Sequence, residues 1–139
     1  MEAGGAEINQ FLKEIGVKKD AIVLRDASGL SRQNLVTPSA IVALLGHMYE
    51  SDQSALWLAL LPIAGEDGTL QGRLKGPAVA GRVWAKTGSL AGVAALAGYA
   101  ADSNDELLAF AIFINQHNLS ASAASALIDR IVEEIAKSR

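Results

Sequence analysis

Apolar residues recur at helical spacing near both ends of the chain and crowd into almost unbroken runs in its second half. Residues 6–15 put Ile8, Phe11, Leu12 and Ile15 on one helical face, with Gly16 as a stop. Residues 21–25 form a short β-branched run, read as a strand, and 26–34 a polar loop. Thr37 caps a helix with Pro38 at its first position, running to about Tyr49. A second helix is expected over 54–61, ended by Pro62. Residues 65–81 are dense in Gly and Pro and read as turns. Three strands follow, over 82–87, 93–101 and 107–114, with the turn 102–105 between the last two. A closing helix over 120–137 carries Leu127, Ile128, Ile131, Val132 and Ile135 as its apolar stripe. Consecutive strands joined by short turns, with helices before and after, predict an antiparallel sheet in an α+β domain.

Composition narrows the function. The 139 residues suit one domain, half of them are hydrophobic, and the net charge is −3 without a run of Lys or Arg. A nucleic-acid surface needs clustered positive charge, so none is expected. With no cysteine, disulfides, thiolate zinc sites and Cys nucleophiles are excluded. The two histidines, His47 and His117, read as surface or capping residues, and no metal centre is expected. The longest apolar stretch, 55–64, is broken by Pro62 and too short to span a bilayer. No signal-like start follows Met1. The stretch 76–83 lacks the Lys and Ser/Thr of a phosphate loop, Asn118-Leu119-Ser120 reads as a chance glycosylation triplet, and Glu66-Asp67 as turn acids pointing into water.

Two clusters can carry chemistry. Lys86-Thr87-Gly88, followed by Ser89, stands at the end of a predicted strand. Lysine supplies positive charge, the hydroxyls can hold a carboxylate, and glycine removes the side chain that would block a peptide lying alongside. A strand-end turn with an exposed lysine would carry the same tripeptide. Residues 26–34 (DASGLSRQN) could equally cap the next helix or present hydroxyls and the Arg32 guanidinium to an anion.

Taken in order, SGLSRQN, a helix, LPIAGEDGTL over 61–70, and AKTGSLAGV before a strand with Gly98-Tyr99 resemble one family along essentially the whole chain. It is the serine-type D-alanyl-D-alanine carboxypeptidases and endopeptidases, the low-molecular-mass class C penicillin-binding proteins. The resemblance implies the C-terminal portion of a β-lactamase-like, penicillin-binding (DD-peptidase) fold. That family uses Ser-x-x-Lys, Ser-x-Asn and Lys-Thr-Gly. No serine here has Lys three residues later or Asn two residues later, so residues 1–139 carry the third motif alone. The first two are expected upstream of Met1, which makes the chain a partial domain with no nucleophile.

Carried over by motif, Lys86 supports the electrostatics and proton relay around the nucleophile. Thr87 and Ser89 bind the substrate's terminal carboxylate, and Gly88 keeps the strand edge open. The Ser89 N–H is one oxyanion-hole donor. Leu90 contacts the stem-peptide side chain and Arg32 lies near the acyl side of the cleft; Ser28 and Ser31 shape the loop. The resemblance implies an acyl-enzyme on serine, peptidoglycan stem peptides or β-lactams as partners, a periplasmic or envelope location, and no cofactor. Two rivals stand beside it: a non-catalytic half domain that binds D-Ala-ending peptides or a partner, and an inactive structural remnant. Strands 93–97 and 107–114 hardly alternate, as expected of a sheet covered on both faces. The mean hydropathy is +0.25. If part of that cover lies outside the chain, the isolated chain exposes apolar surface and self-associates.

Overall fold

Small side chains set how closely the layers of this molecule approach. The computed structural model describes residues 2–138; Met1 and Arg139 lie outside the described residues. Its centre is an antiparallel sheet of β3 (Val83–Leu90), β4 (Val93–Ala101) and β5 (Leu107–Asn115), with β4 in the middle. Lys86 lies opposite Ala97, Thr87 opposite Leu96 and Ser89 opposite Ala94. Gly98 lies opposite Ala85, where any Cβ would overlap the Trp84 carbonyl oxygen and stand 2.6 Å from Ala85 Cα. Glycine here lets the two backbones meet, as glycine inside a strand often does.

One face of the sheet packs on α4 (Ala121–Ala136). Ala124, Ile128, Val132 and Ala136, spaced four apart, form its buried row against Val83, Ala85, Leu96, Ala100 and Phe110. The row differs from the predicted stripe, since Leu127 and Ile131 are each 41% exposed. The alanines win because they let the helix sit close. Ser120 caps the helix by accepting from Ala123 N. The opposite face meets α2 (Pro38–Glu50) and α3 (Ser54–Ala59), with Leu45, Trp57, Leu61, Trp84 and Tyr99 in contact. Tyr99, 1% exposed, donates to the Leu45 carbonyl at 2.6 Å and accepts from Trp57 Nε1 at 2.9 Å. Burial pushes its hydroxyl above the usual phenol range, against the lowering effect of the Trp57 bond.

The chain's own helices thus pack on both faces of the sheet, although Val93, Ala95, Ala97 and residues 111–114 stay only half-buried. Further exposed apolar surface lies before α2. The helix α1 (Glu2–Glu14), its start earlier than expected, leaves Ile8 and Phe11 exposed; Leu12 and Val17 join Ala40 in a small second core, with Ile15, Ala21, Ile22 and Ala43 packed against it. Strand β1 (Ile22–Val23) pairs with β2 (Leu35–Val36), a ribbon of two-residue strands whose Leu35 is 61% exposed. Among the described residues, no helix is long and apolar enough to cross a membrane.

Candidate functional site

Strand β3 is an edge strand, and half of its free edge is taken. Ala85 N donates to the Pro62 carbonyl at 3.0 Å, and Ala64 N donates to the Val83 carbonyl at 2.9 Å. The odd-numbered residues of β3 therefore turn their backbone groups outward, and the two-residue period of a strand carries this to Thr87 and Ser89. Beyond Ala85 the edge is open. The Lys86 ammonium reaches round to it and donates to the Thr87 carbonyl at 2.8 Å.

The same alternation sorts the side chains. Thr87 and Ser89 lie on the face that carries Val83 and Ala85, towards α4; Lys86 and Gly88 lie on the other face with Trp84. The motif is inside the strand and not at its end, since β3 continues through Ser89 and Leu90 to the turn at Ala91-Gly92. Gly88 and Ser89 are weak strand formers, which made 87 look like the boundary. Pairing with Ala94 and Ala95 overrides that preference.

The DASGLSRQN loop is built by two residues. Asn34 Oδ1 accepts from the backbone of Arg25 and Asp26, while Asp26 Oδ1 accepts from Ser28 N and from Ser28 Oγ at 2.6 Å. The hydroxyl and backbone bonds from Ser28 hold the Asp26 carboxyl below its usual range. The loop brings Arg32 to the end of the motif strand, where its Nη2 donates to the Ala91 carbonyl at 2.8 Å. Arg32, Ser89 and Leu90 are thereby assembled at one end of β3. Leu30 stands out of the loop, 69% exposed.

A cavity of about 450 Å³ lies between the motif strand and the start of α4, with Thr87, Ser89, Thr69, Arg73, His117 and Ser125 on its wall. Arg73 is held by a bidentate pair with Asp129, at 2.6 and 3.2 Å. Thr69 meets Thr87, its Oγ1 accepting from the Thr87 hydroxyl at 3.1 Å. Sequence reasoning passed over Thr69 as a site residue, because the contact joins positions eighteen apart. Two other expectations change. Both ring nitrogens of His117 are buried without a hydrogen-bond partner among the described residues, although the residue as a whole is half-buried. Asp67 does not simply face water, because its carboxylate accepts from Ile63 N at 2.7 Å and fixes the turn. Among the described residues, no group of three or more His, Asp or Glu could hold a metal ion.

An open strand edge carrying Lys-Thr-Gly-Ser beside an arginine suits an extended peptide with a carboxylate end. The model of the D-Ala-D-Ala carboxypeptidase 3 (S13) family matches residues 1–137. The chain belongs to that family. It is 42% identical to a D-alanyl-D-alanine carboxypeptidase of Actinomadura sp., over 98% of this chain and 26% of that protein. The crystal structure of penicillin binding protein 4 from Haemophilus influenzae superposes with a TM-score of 0.88 at 32% identity, covering 99% of this chain and 32% of that one. An extended spectrum β-lactamase, 24% identical, matches with a TM-score of 0.72 over 94% of this chain and 52% of its own, and shows the fold alone. The chain thus spans about a quarter of the length of that Actinomadura protein. Its antiparallel sheet with flanking helices is the α+β arrangement shared by penicillin-binding and β-lactamase-like folds.

Proposed function

We propose that residues 1–139 form the substrate-strand part of a serine D-Ala-D-Ala carboxypeptidase or endopeptidase, acting on peptidoglycan stem peptides and acylated by β-lactams. The reading is carried by the outward N–H and C=O groups of Thr87 and Ser89 on the open part of β3. An extended stem peptide adds there as one more strand. The hydroxyls of Thr87 and Ser89 hold its terminal carboxylate, and Leu90 touches the stem side chain. Arg32 marks the acyl side of the cleft. Gly88 leaves the strand's other face low beside the peptide.

The nucleophile comes from outside these 139 residues, as do Ser-x-x-Lys and Ser-x-Asn, so the chain is a partial domain and inactive alone. In the whole enzyme the serine oxygen attacks the carbonyl of the penultimate D-Ala. The Ser89 N–H stabilises the oxyanion as the C–N bond breaks. The terminal residue leaves with a proton on its amine, and water then hydrolyses the ester. Lys86 supplies positive charge to that proton transfer. Such an enzyme works in the periplasm or cell envelope, where its substrate is. The isolated chain self-associates through its exposed apolar surface.

Lys86→Ala in the full-length enzyme should slow acylation more than about tenfold. Thr87→Val should impair peptides ending in a free carboxylate more than their amides. The 139-residue chain, incubated with labelled penicillin, should show no stoichiometric adduct by intact mass. A one-to-one adduct on any of its serines, or equal losses on acid and amide with Thr87→Val, would defeat the reading.

A further inference from the structure

The segment just before β3 does more than cap the strand edge. Residues 62–64 pair with β3, and the chain then turns tightly at 65–70. The turn is fixed at several points. Leu70 is fully buried and its N–H donates to the Asp67 carbonyl, Gly65 N donates to the Leu70 carbonyl, and Asp67 Oδ1 accepts from Ile63 N. Gly68, at φ +50°, lies against Pro62. Three residues beyond Leu70, Arg73 is tied to Asp129 of α4. Thr69 is thus held in register with β3 although its own side chain is exposed, and its hydroxyl meets that of Thr87 on the wall of the cavity behind the motif.

A threonine hydroxyl has one hydrogen and two lone pairs. In this structure Thr87 Oγ1 lies 3.1 Å from Thr69 Oγ1, with the Thr87 hydroxyl as the donor by heavy-atom geometry. A carboxylate accepts only, so binding one requires Thr87 to turn its hydrogen to the ligand. Its oxygen is then free to accept, and the Thr69 hydroxyl, 3.1 Å away, is within reach to donate. We propose that Thr69 is a positioning residue for carboxylate recognition: it holds the Thr87 hydroxyl through their mutual contact and donates to it once a peptide's terminal carboxylate is bound. A chain of two hydroxyls ending on an anion is polarised along its length, which strengthens the outer bond where the ligand excludes water. The contact also fixes which branch of Thr87, hydroxyl or methyl, faces the cavity. This inference rests on the carboxylate role proposed for Thr87.

The test uses the full-length enzyme carrying this segment and peptides ending in D-Ala-D-Ala as free acid or amide. Thr69→Val keeps the shape and removes the hydroxyl. It should raise KM for the free acid about fivefold, the scale of one hydrogen bond, with a smaller change for the amide and in kcat. Thr69→Ser should restore KM. In a Thr87→Val background, Thr69→Val should add nothing further for the acid. If Thr69→Val does not fold, Thr69→Ala carries the same expectation. An unchanged KM, equal losses on acid and amide, or a serine variant as impaired as valine would overturn the inference while leaving Thr87 its role. Loss of acid-over-amide selectivity in neither single variant would instead remove the carboxylate site itself.

Discussion

The sheet with α4 and the region before α2 are built from similar residue types and end up in opposite conditions. In the first, Ala124, Val83, Ala85, Leu96 and Val132 are all fully buried, and Ile128 is 1% exposed. In the second, the core consists of Leu12, Val17 and Ala40, while Ile8, Phe11, Leu24, Leu35 and Val36 remain exposed. Laying the buried row of α4 against the sheet buries Ile128 and Val132 at about 1.5–3 kcal/mol each, with less from Ala124 and Ala136. A two-residue ribbon and one helix cannot cover each other in this way. The comparison teaches where the fold is self-sufficient. The motif strand belongs to the self-sufficient part, so its geometry is set within these residues, whereas Arg32 is delivered by a loop from the less covered part.

The largest expected effect contrasts the two directly. Ile128→Ala should destabilise the chain by about 3–4 kcal/mol, within the range for deleting buried aliphatic groups from a packed core. Leu35→Ala, at a position 61% exposed, should stay within about 0.5 kcal/mol. Urea unfolding followed by circular dichroism measures both. Comparable losses for the two variants would mean that the ribbon is as much part of the cooperative core as α4 is.

How much of this was legible in the sequence follows the same division. The strands β4 and β5, and the α2 start at Thr37-Pro38, were readable because unbroken apolar runs and a capping residue are local signals. The buried row of α4 was read in part: Ile128 and Val132 belong to it and Ile135 packs against it, but bulk hydrophobicity also favours Leu127 and Ile131 where close packing favours Ala124 and Ala136. The β1–β2 pairing was missed. Its register depends on Asn34 bonding back to Arg25 and Asp26 across the loop, which no periodicity announces. Of the candidate site, Lys86, Thr87, Gly88, Ser89, Leu90 and Arg32 are proposed from motifs. The structure gathers them at one stretch of edge strand and its following turn, whereas Thr69 and the Arg73–Asp129 tie are contacts at long sequence separation.

A smaller effect concerns what the uncovered region does in solution. Light scattering during size-exclusion should show the isolated chain associating as concentration rises, with binding of a dye for exposed apolar surface. Phe11→Glu and Leu35→Glu should shift it towards monomer, since both side chains are exposed and apolar in the same half of the molecule. Leu127→Glu, on the outer face of α4, should have less effect. Association that persists in the first two variants and vanishes in the third would move the sticky surface to the self-sufficient side. A dye-silent monomer at every concentration would show that the exposed residues of α1 and the ribbon are too scattered to act as a patch.

The smallest expected effect is on acid sensitivity, and it separates the halves by mechanism. Asp26 organises the loop that carries Arg32, and hydrogen bonds from Ser28 hold its carboxyl below the usual range. A carboxyl depressed in the folded state contributes order that is fully present above its unfolded value. That order is lost as pH falls through the lowered folded value. In the other half, Glu134 is also lowered, by its bond to Lys137 and the charge of that neighbour, but both side chains of that pair are exposed and neither belongs to the buried core. Acid should therefore loosen the loop first. Amide exchange at Ser28 and Leu30 should speed up between about pH 5 and about pH 3, after correction for the intrinsic rate, while exchange at Ile128 and Leu96 holds steady. Asp26→Asn keeps an acceptor oxygen without the titrating group, so its corrected exchange should be flat over the same span. An Asn variant that follows the wild-type profile would take Asp26 out of the account and leave the loop's order to Asn34.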